Sequence, residues 1–165
     1  LILSCVTGLL ITFLAGWRWL FFLVPLTLFV RMALNAIDGM LAREHDMQTP
    51  LGAILNELGD VLSDTALYLP FALIPDIKTG LVVIFVVLSV ISEMTGVMAV
   101  QIGAQRCYNG PMGKSDRAFL FGLTGLLLGF GLDVHLFVNI AIAIACALLL
   151  LTIKNRAQSA LKEVS

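Results

Sequence analysis

The sequence predicts an all-α membrane protein, a polytopic helix bundle of about six transmembrane helices. The first observation behind this is compositional. Of 165 residues, 59% are hydrophobic and only 13% charged, with a mean hydropathy of +1.00, far above the apolar share of a water-soluble domain. The second is that apolar residues gather in runs close to the roughly 20 needed for a helix to cross a ~30 Å hydrocarbon core. The third is that short polar breaks separate the runs. A water-soluble globule is thereby excluded. Ten Lys and Arg against eleven Asp and Glu give a formal net charge of -1, so no basic field gathers nucleic acid, which is not an expected partner. Cys5, Cys107 and Cys146 lie far apart with no C-x-x-C, which suits three free thiols better than a disulfide framework or a zinc site.

Six runs follow in order. Residues 1–16 form a short first span that lacks an initiating Met, and the expectation is that the native start and part of this span are missing. No basic start or small-residue cleavage site marks it as a signal peptide. Residues 20–43 follow Trp17, Arg18 and Trp19, two indoles and a cation suited to a membrane interface. Residues 51–75 are polar in their first half and apolar in their second. Residues 81–103 carry one acid, Glu93. Residues 118–132 and 134–153 complete the set, separated by a tight hairpin at Gly131, Leu132 and Asp133. No linker or repeat divides the chain, so residues 1–165 are read as a single domain.

Cations retained on the cytoplasmic side set orientation. With six alternating spans, Arg43, Arg106, Lys114, Arg117, Lys154, Arg156 and Lys162 collect on one side, against Arg18 and Lys78 on the other; Arg31 falls within the second span. Both termini, the loop around Asp46 and the loop 104–117 are therefore expected to face the cytoplasm.

Ionisable groups at membrane depth cost several kcal/mol against lipid, so a cluster of them marks a protein-lined or watery cavity. One cluster dominates: Asn35, Asp38, Gly39, Ala42 and Arg43, then Gly52, Asn56 and Asp60. At 3.6 residues per turn the first five share a face of the second span, and the last three share a face of the third. The short link containing Asp46, Thr49 and Pro50 makes the two helices antiparallel neighbours, with Thr49 as N-cap and Pro50 in the first turn. Two carboxamides, two carboxylates and a cation then converge around small residues that leave backbone accessible. Such a set suits a hard divalent ion bridging to a phosphate or pyrophosphate.

These residues resemble the signature of the CDP-alcohol phosphatidyltransferases, D-x-x-D-G-x-x-A-R, eight residues, then G-x-x-x-D-x-x-x-D. The chain has N-x-x-D-G-x-x-A-R from Asn35 to Arg43, eight residues, then G-x-x-x-N-x-x-x-D from Gly52 to Asp60, so six of eight signature positions are kept at unchanged spacing. The resemblance implies a six-helix bundle, often a homodimer, in a bacterial inner membrane with its site facing the cytoplasm. It implies transfer of a phosphoalcohol from a CDP-alcohol, foremost CDP-diacylglycerol, to a hydroxyl acceptor in phospholipid synthesis, with release of CMP. Carried across by position, Asn35, Asp38, Asn56 and Asp60 would ligate Mg²⁺ or Mn²⁺. Asp60 would also be the base that activates the acceptor, and Gly39, Ala42, Arg43 and Gly52 would receive the nucleotide and its phosphates.

The departures are Asn35 and Asn56, which stand where the signature has aspartate. An amide oxygen still coordinates Mg²⁺ but brings no negative charge. Ion binding is then expected to be weak until a pyrophosphate arrives, or confined to one ion. Glu57 and Asp64 are candidates to supply the missing charge, although Glu57 lies about 100° around the helix from Asn56 and Asp64 one turn beyond Asp60. The alternative is a catalytically weakened or noncatalytic family member, its asparagines joining helices.

Two other enzyme or carrier classes fit less well. Intramembrane prenyltransferases place their aspartate motifs far apart, and a transporter would be expected to show doubled, interrupted helices. The loop 106–117 reads either as a topology-setting basic loop with an Asn-Gly-Pro turn or as a source of cations for a phosphate-bearing acceptor or headgroup. It is not a Walker loop. Glu93 is expected to face other helices, and His45 and His135 are too isolated to form a metal centre.

Overall fold

The computed structural model describes residues 1–14, 16–44 and 49–165, without the side chains of residues 39, 42 and 43. Six α-helices and no strand are present among these residues, which agrees with an all-α membrane bundle. They are α1 (Ile2–Leu14), α2 (Leu23–Glu44), α3 (Pro50–Tyr68), α4 (Thr79–Gln101), α5 (Lys114–Gly129) and α6 (His135–Val164). Three stretches are long and apolar enough to cross a membrane: Arg18–Asp38, Thr79–Gln101 and His135–Val164. The other three helices fall short for visible reasons. With 13 and 16 residues, α1 and α5 extend about 20 and 24 Å at 1.5 Å per residue, and α3 carries Asn56, Glu57, Asp60 and Asp64. Ile2, Phe13, Phe29 and Phe119 are among many large apolar side chains left exposed, as lipid-facing residues are.

Helix ends follow local chemistry. The Thr49 hydroxyl accepts from the Gly52 N–H at 3.0 Å with Pro50 at the first position of α3, as the capping residues predict. At the end of α4, the Gly103 N–H reaches the Val100 carbonyl and the Ala104 N–H the Ala99 carbonyl. The same pattern at the end of α5 joins Gly131 to Leu128 and Leu132 to Leu127. Both are Schellman motifs, and each places its glycine in the left-handed region, at φ +91° and +75°, where a Cβ would be strained. The expected turn at Gly131 is thus present. Two boundaries differ from expectation. Pro70 supplies no N–H and crowds the preceding turn, so α3 stops at Tyr68 and a 3₁₀ helix, Leu69–Leu73, follows. In the other direction, α6 runs to Val164 through Lys, Arg, Ala and Gln, all good helix formers.

The described residues form two compact units, one of residues 1–70 with 121–133, the other of residues 71–120 with 134–165. In the first, α1 approaches α3 so closely that a Cβ on Gly8 would collide with the Ala66 carbonyl. The Thr7 and Thr27 hydroxyls join α1 to α2 at 2.8 Å. The later turns of α5 meet the 3₁₀ turn Arg18–Phe22 and the start of α2 through glycine, where a Cβ on Gly125 would lie 2.9 Å from the Phe21 carbonyl. Nearer its start, α5 meets the end of α3, where Tyr68 stacks on Phe121 at 4.3 Å. Close backbone approach through glycine is the usual way membrane helices gain packing contact when lipid is as apolar as leucine. In the second unit, α4 packs along α6, with Val82, Phe85, Ile142 and Leu149 fully buried.

Candidate active site on α2 and α3

Two cross-helix contacts set the register of the signature. Arg31 NH1 donates to Asp64 Oδ1 at 2.5 Å, and Asn35 Nδ2 donates to Asp60 Oδ1 at 3.1 Å. Four residues forward on α2 are matched by four back on α3, so the helices are antiparallel neighbours, as the short link between them requires. Carried one turn further, this register brings Asp38 level with Asn56 and Glu57. Asp38, Gly52 and Asn56 are exposed, whereas Asn35 and Asp60 are half-buried. The structure therefore joins Asn35 to Asp60 directly and leaves Asp38 and Asn56 open on the continuing face. The side chains of Gly39, Ala42 and Arg43, together with His45 and Asp46, lie outside the described residues.

Arg31 is the group that the sequence reading missed. It is 8% exposed, and its NH2 reaches both Asp60 Oδ1 at 3.2 Å and the Asp60 carbonyl at 3.0 Å. A planar guanidinium spreads its donors over two nitrogens in a fixed fork, so it reaches two carboxylates and a carbonyl in a set geometry that the compact, rotating ammonium of a lysine does not hold. A signal was present: Arg31 sits four residues before Asn35, Asp64 four after Asp60, so each signature face extends one turn toward an opposite charge. Asp64 had been a candidate to supply charge to an ion. Instead it is buried against Arg31, because an arginine inside a helix pair demands a counter-ion. Among the described residues, no three His, Cys, Asp or Glu side chains converge in a way that holds a metal.

A second polar network occupies the other unit. Glu93 on α4 meets Arg117 at 2.8 Å, Arg106 at 3.2 Å and Arg156 at 3.4 Å. Arg156 also donates to the Ser92 carbonyl at 2.5 Å. Arg117 and Arg156 are 1% and 2% exposed. Both are among the cations expected to set orientation, and each lies inside a helix, buried against Glu93. The loop following α4 folds back over this network. Its Cys107 N–H bonds the Gly96 carbonyl, its Met112 N–H bonds Thr152 Oγ1 at 3.0 Å, and Arg106 lies over the Tyr108 ring. One acid thus ties together two helices, the first turn of a third and a loop.

Two antiparallel helices that carry Asn35, Asp38, Asn56 and Asp60 at this spacing resemble the site of a class of phosphotransferase. The chain belongs to that class: the CDP-alcohol phosphatidyltransferase family profile matches residues 1–153, and the protein is an integral membrane member of the family. Among relatives, it is 50% identical over 161 residues to a protein of Escherichia coli (strain K12) described as inner membrane protein YnbA, across 98% of this chain and 80% of that one. No solved structure matches the chain.

Proposed function

We propose that the α2–α3 face transfers a phosphoalcohol, foremost a phosphatidyl group, from a CDP-alcohol to a hydroxyl acceptor with release of CMP, at the cytoplasmic side of a bacterial inner membrane. The observation that carries this is the register of α2 against α3, which joins Asn35 to Asp60 and continues the same face through Asp38 and Asn56. Two carboxylates with two amide oxygens fit one Mg²⁺ or Mn²⁺, since Mg²⁺ is commonly held by one or two carboxylates and completed by substrate phosphates. Asp38, Asp60, Asn35 and Asn56 would hold it. When bound, the ion supplies charge neutralisation on the phosphates and the leaving nucleotide. By position in the signature, Gly39, Ala42, Arg43 and Gly52 receive the nucleotide. The acceptor oxygen attacks the β-phosphorus, the bond to the bridging oxygen breaks, CMP departs, and Asp60 takes the acceptor's proton. Arg31 and Asn35 hold Asp60 in place for that step.

A second reading, a member without turnover, is favoured by one observation: the Asn35–Asp60 bond also serves as an interhelical link. Linkage between ion and nucleotide separates the two. In calorimetry on detergent-purified protein, Mg²⁺ should tighten CMP binding by about tenfold, and CMP should tighten Mg²⁺ binding by the same factor. Asp38→Ala should abolish the coupling. CMP binding that ignores both Mg²⁺ and Asp38→Ala would refute the assignment of this face.

A further inference from the structure

Asp60 is held differently from what the family signature alone would require. With aspartate at position 35, two carboxylates would face each other at hydrogen-bonding distance, an arrangement that needs a proton or a cation between them. Here the opposing group is an amide that donates: Asn35 Nδ2 lies 3.1 Å from Asp60 Oδ1. The same oxygen receives Arg31 NH2 at 3.2 Å, and Arg31 is fixed in turn by Asp64 and by the Asp60 carbonyl. A guanidinium and an amide therefore both reach Asp60 Oδ1, the oxygen that a second carboxylate at position 35 would crowd with negative charge. Charge arithmetic agrees for the signature positions: Arg31 and Asp64 cancel as a pair, leaving Asp38 and Asp60 as the two carboxylates among them, enough to balance one divalent ion, while Glu57 lies about 100° around α3 from Asn56.

We infer that Arg31 and Asn35 are positioning residues that hold Asp60 by direct hydrogen bonds in place of an ion bridge, so that this face takes at most one divalent ion per chain. The inference rests on the proposed transferase reading, but its count of ions does not depend on turnover. The two asparagines are then one coherent change, since removing two negative charges from the signature removes the need for a second divalent ion, while Arg31, neutralised by Asp64, supplies a donor to Asp60. Arg31 acts through Asp60 and touches no substrate.

The experiment counts Mn²⁺ by electron paramagnetic resonance in detergent-purified protein saturated with CMP. The native chain should saturate at no more than one Mn²⁺, and the double variant Asn35→Asp/Asn56→Asp should take one more. Should the double variant fail to fold, Asn35→Asp alone should bind Mn²⁺ at least tenfold more tightly than the native chain. Arg31→Lys keeps the charge but loses the fork, so it should lower kcat about tenfold, leave KM for the CDP-alcohol unchanged and leave the ion count unchanged. Two ions on the native chain, a double variant that takes no more than the native chain, unchanged Mn²⁺ affinity in Asn35→Asp, or native kinetics in Arg31→Lys would each overturn the inference. A native chain that releases no CMP would defeat the transferase reading and still leave the ion count to be read.

Discussion

Asp60→Asn should abolish turnover and spare nucleotide binding. The substitution keeps shape, and the new amide carbonyl can still accept from Arg31 and Asn35. Arg31 keeps its buried partner Asp64, so the helix pair stays together. What is lost is a carboxylate able to take a proton, a contribution commonly worth 10²- to 10⁴-fold in rate. The expected pattern is CMP release down by at least about 10² with CMP affinity within a few-fold of the native value. Asp38→Ala should behave differently, because it removes an oxygen proposed to hold the ion, whereas Asp60→Asn keeps an amide oxygen in its place, so only Asp38→Ala should also weaken nucleotide binding. A Asp60→Asn variant with native turnover removes Asp60 from the role of base.

Glu93→Ala should cost more stability than any other single truncation on α4. Arg117 and Arg156 are almost wholly buried and would lose the carboxylate they share at 2.8 and 3.4 Å. Breaking a buried ion pair from one side costs about 3–5 kcal/mol, since the remaining charge stays desolvated. That is a large part of the net stability of an ordinary domain. By contrast, Glu163, which accepts from the Gln105 N–H at 3.1 Å on the surface, should cost under about 1 kcal/mol when changed to Ala. Thermal unfolding in detergent, followed by loss of the monodisperse peak, checks both. Equal midpoints for the two variants would show that Glu93 does not carry the network.

The features visible in the sequence were those that depend on near neighbours. Thr49 and Pro50 marked the start of α3, Gly131 marked the turn after α5, and the spacing of Asn35, Asp38, Asn56 and Asp60 marked two helix faces. Each is a periodicity or capping pattern spanning a few residues. The features that escaped are partnerships across distance. Arg31 and Asp64 are 33 positions apart and Glu93 and Arg156 are 63 apart, so hydropathy could say that each was costly in a membrane without saying which charge met it. Arg117 and Arg156 read as cytoplasmic-side cations that set orientation, and the sequence does not show that both are buried against Glu93. Pro70 was within sight as a breaker, but the apolar run around it favoured a longer span than the backbone allows.

If the α2–α3 face is a CDP-alcohol transfer site, CMP release reads that activity most directly. Purified protein in vesicles containing CDP-diacylglycerol, supplied with Mg²⁺ or Mn²⁺, is offered glycerol phosphate, inositol phosphate, serine and simple polyols in turn. With at least one acceptor, CMP should appear in a one-to-one ratio with a new phosphodiester lipid, and Asp38→Ala should reduce both to background. CMP release no greater than that of Asp38→Ala across all acceptors would contradict the account.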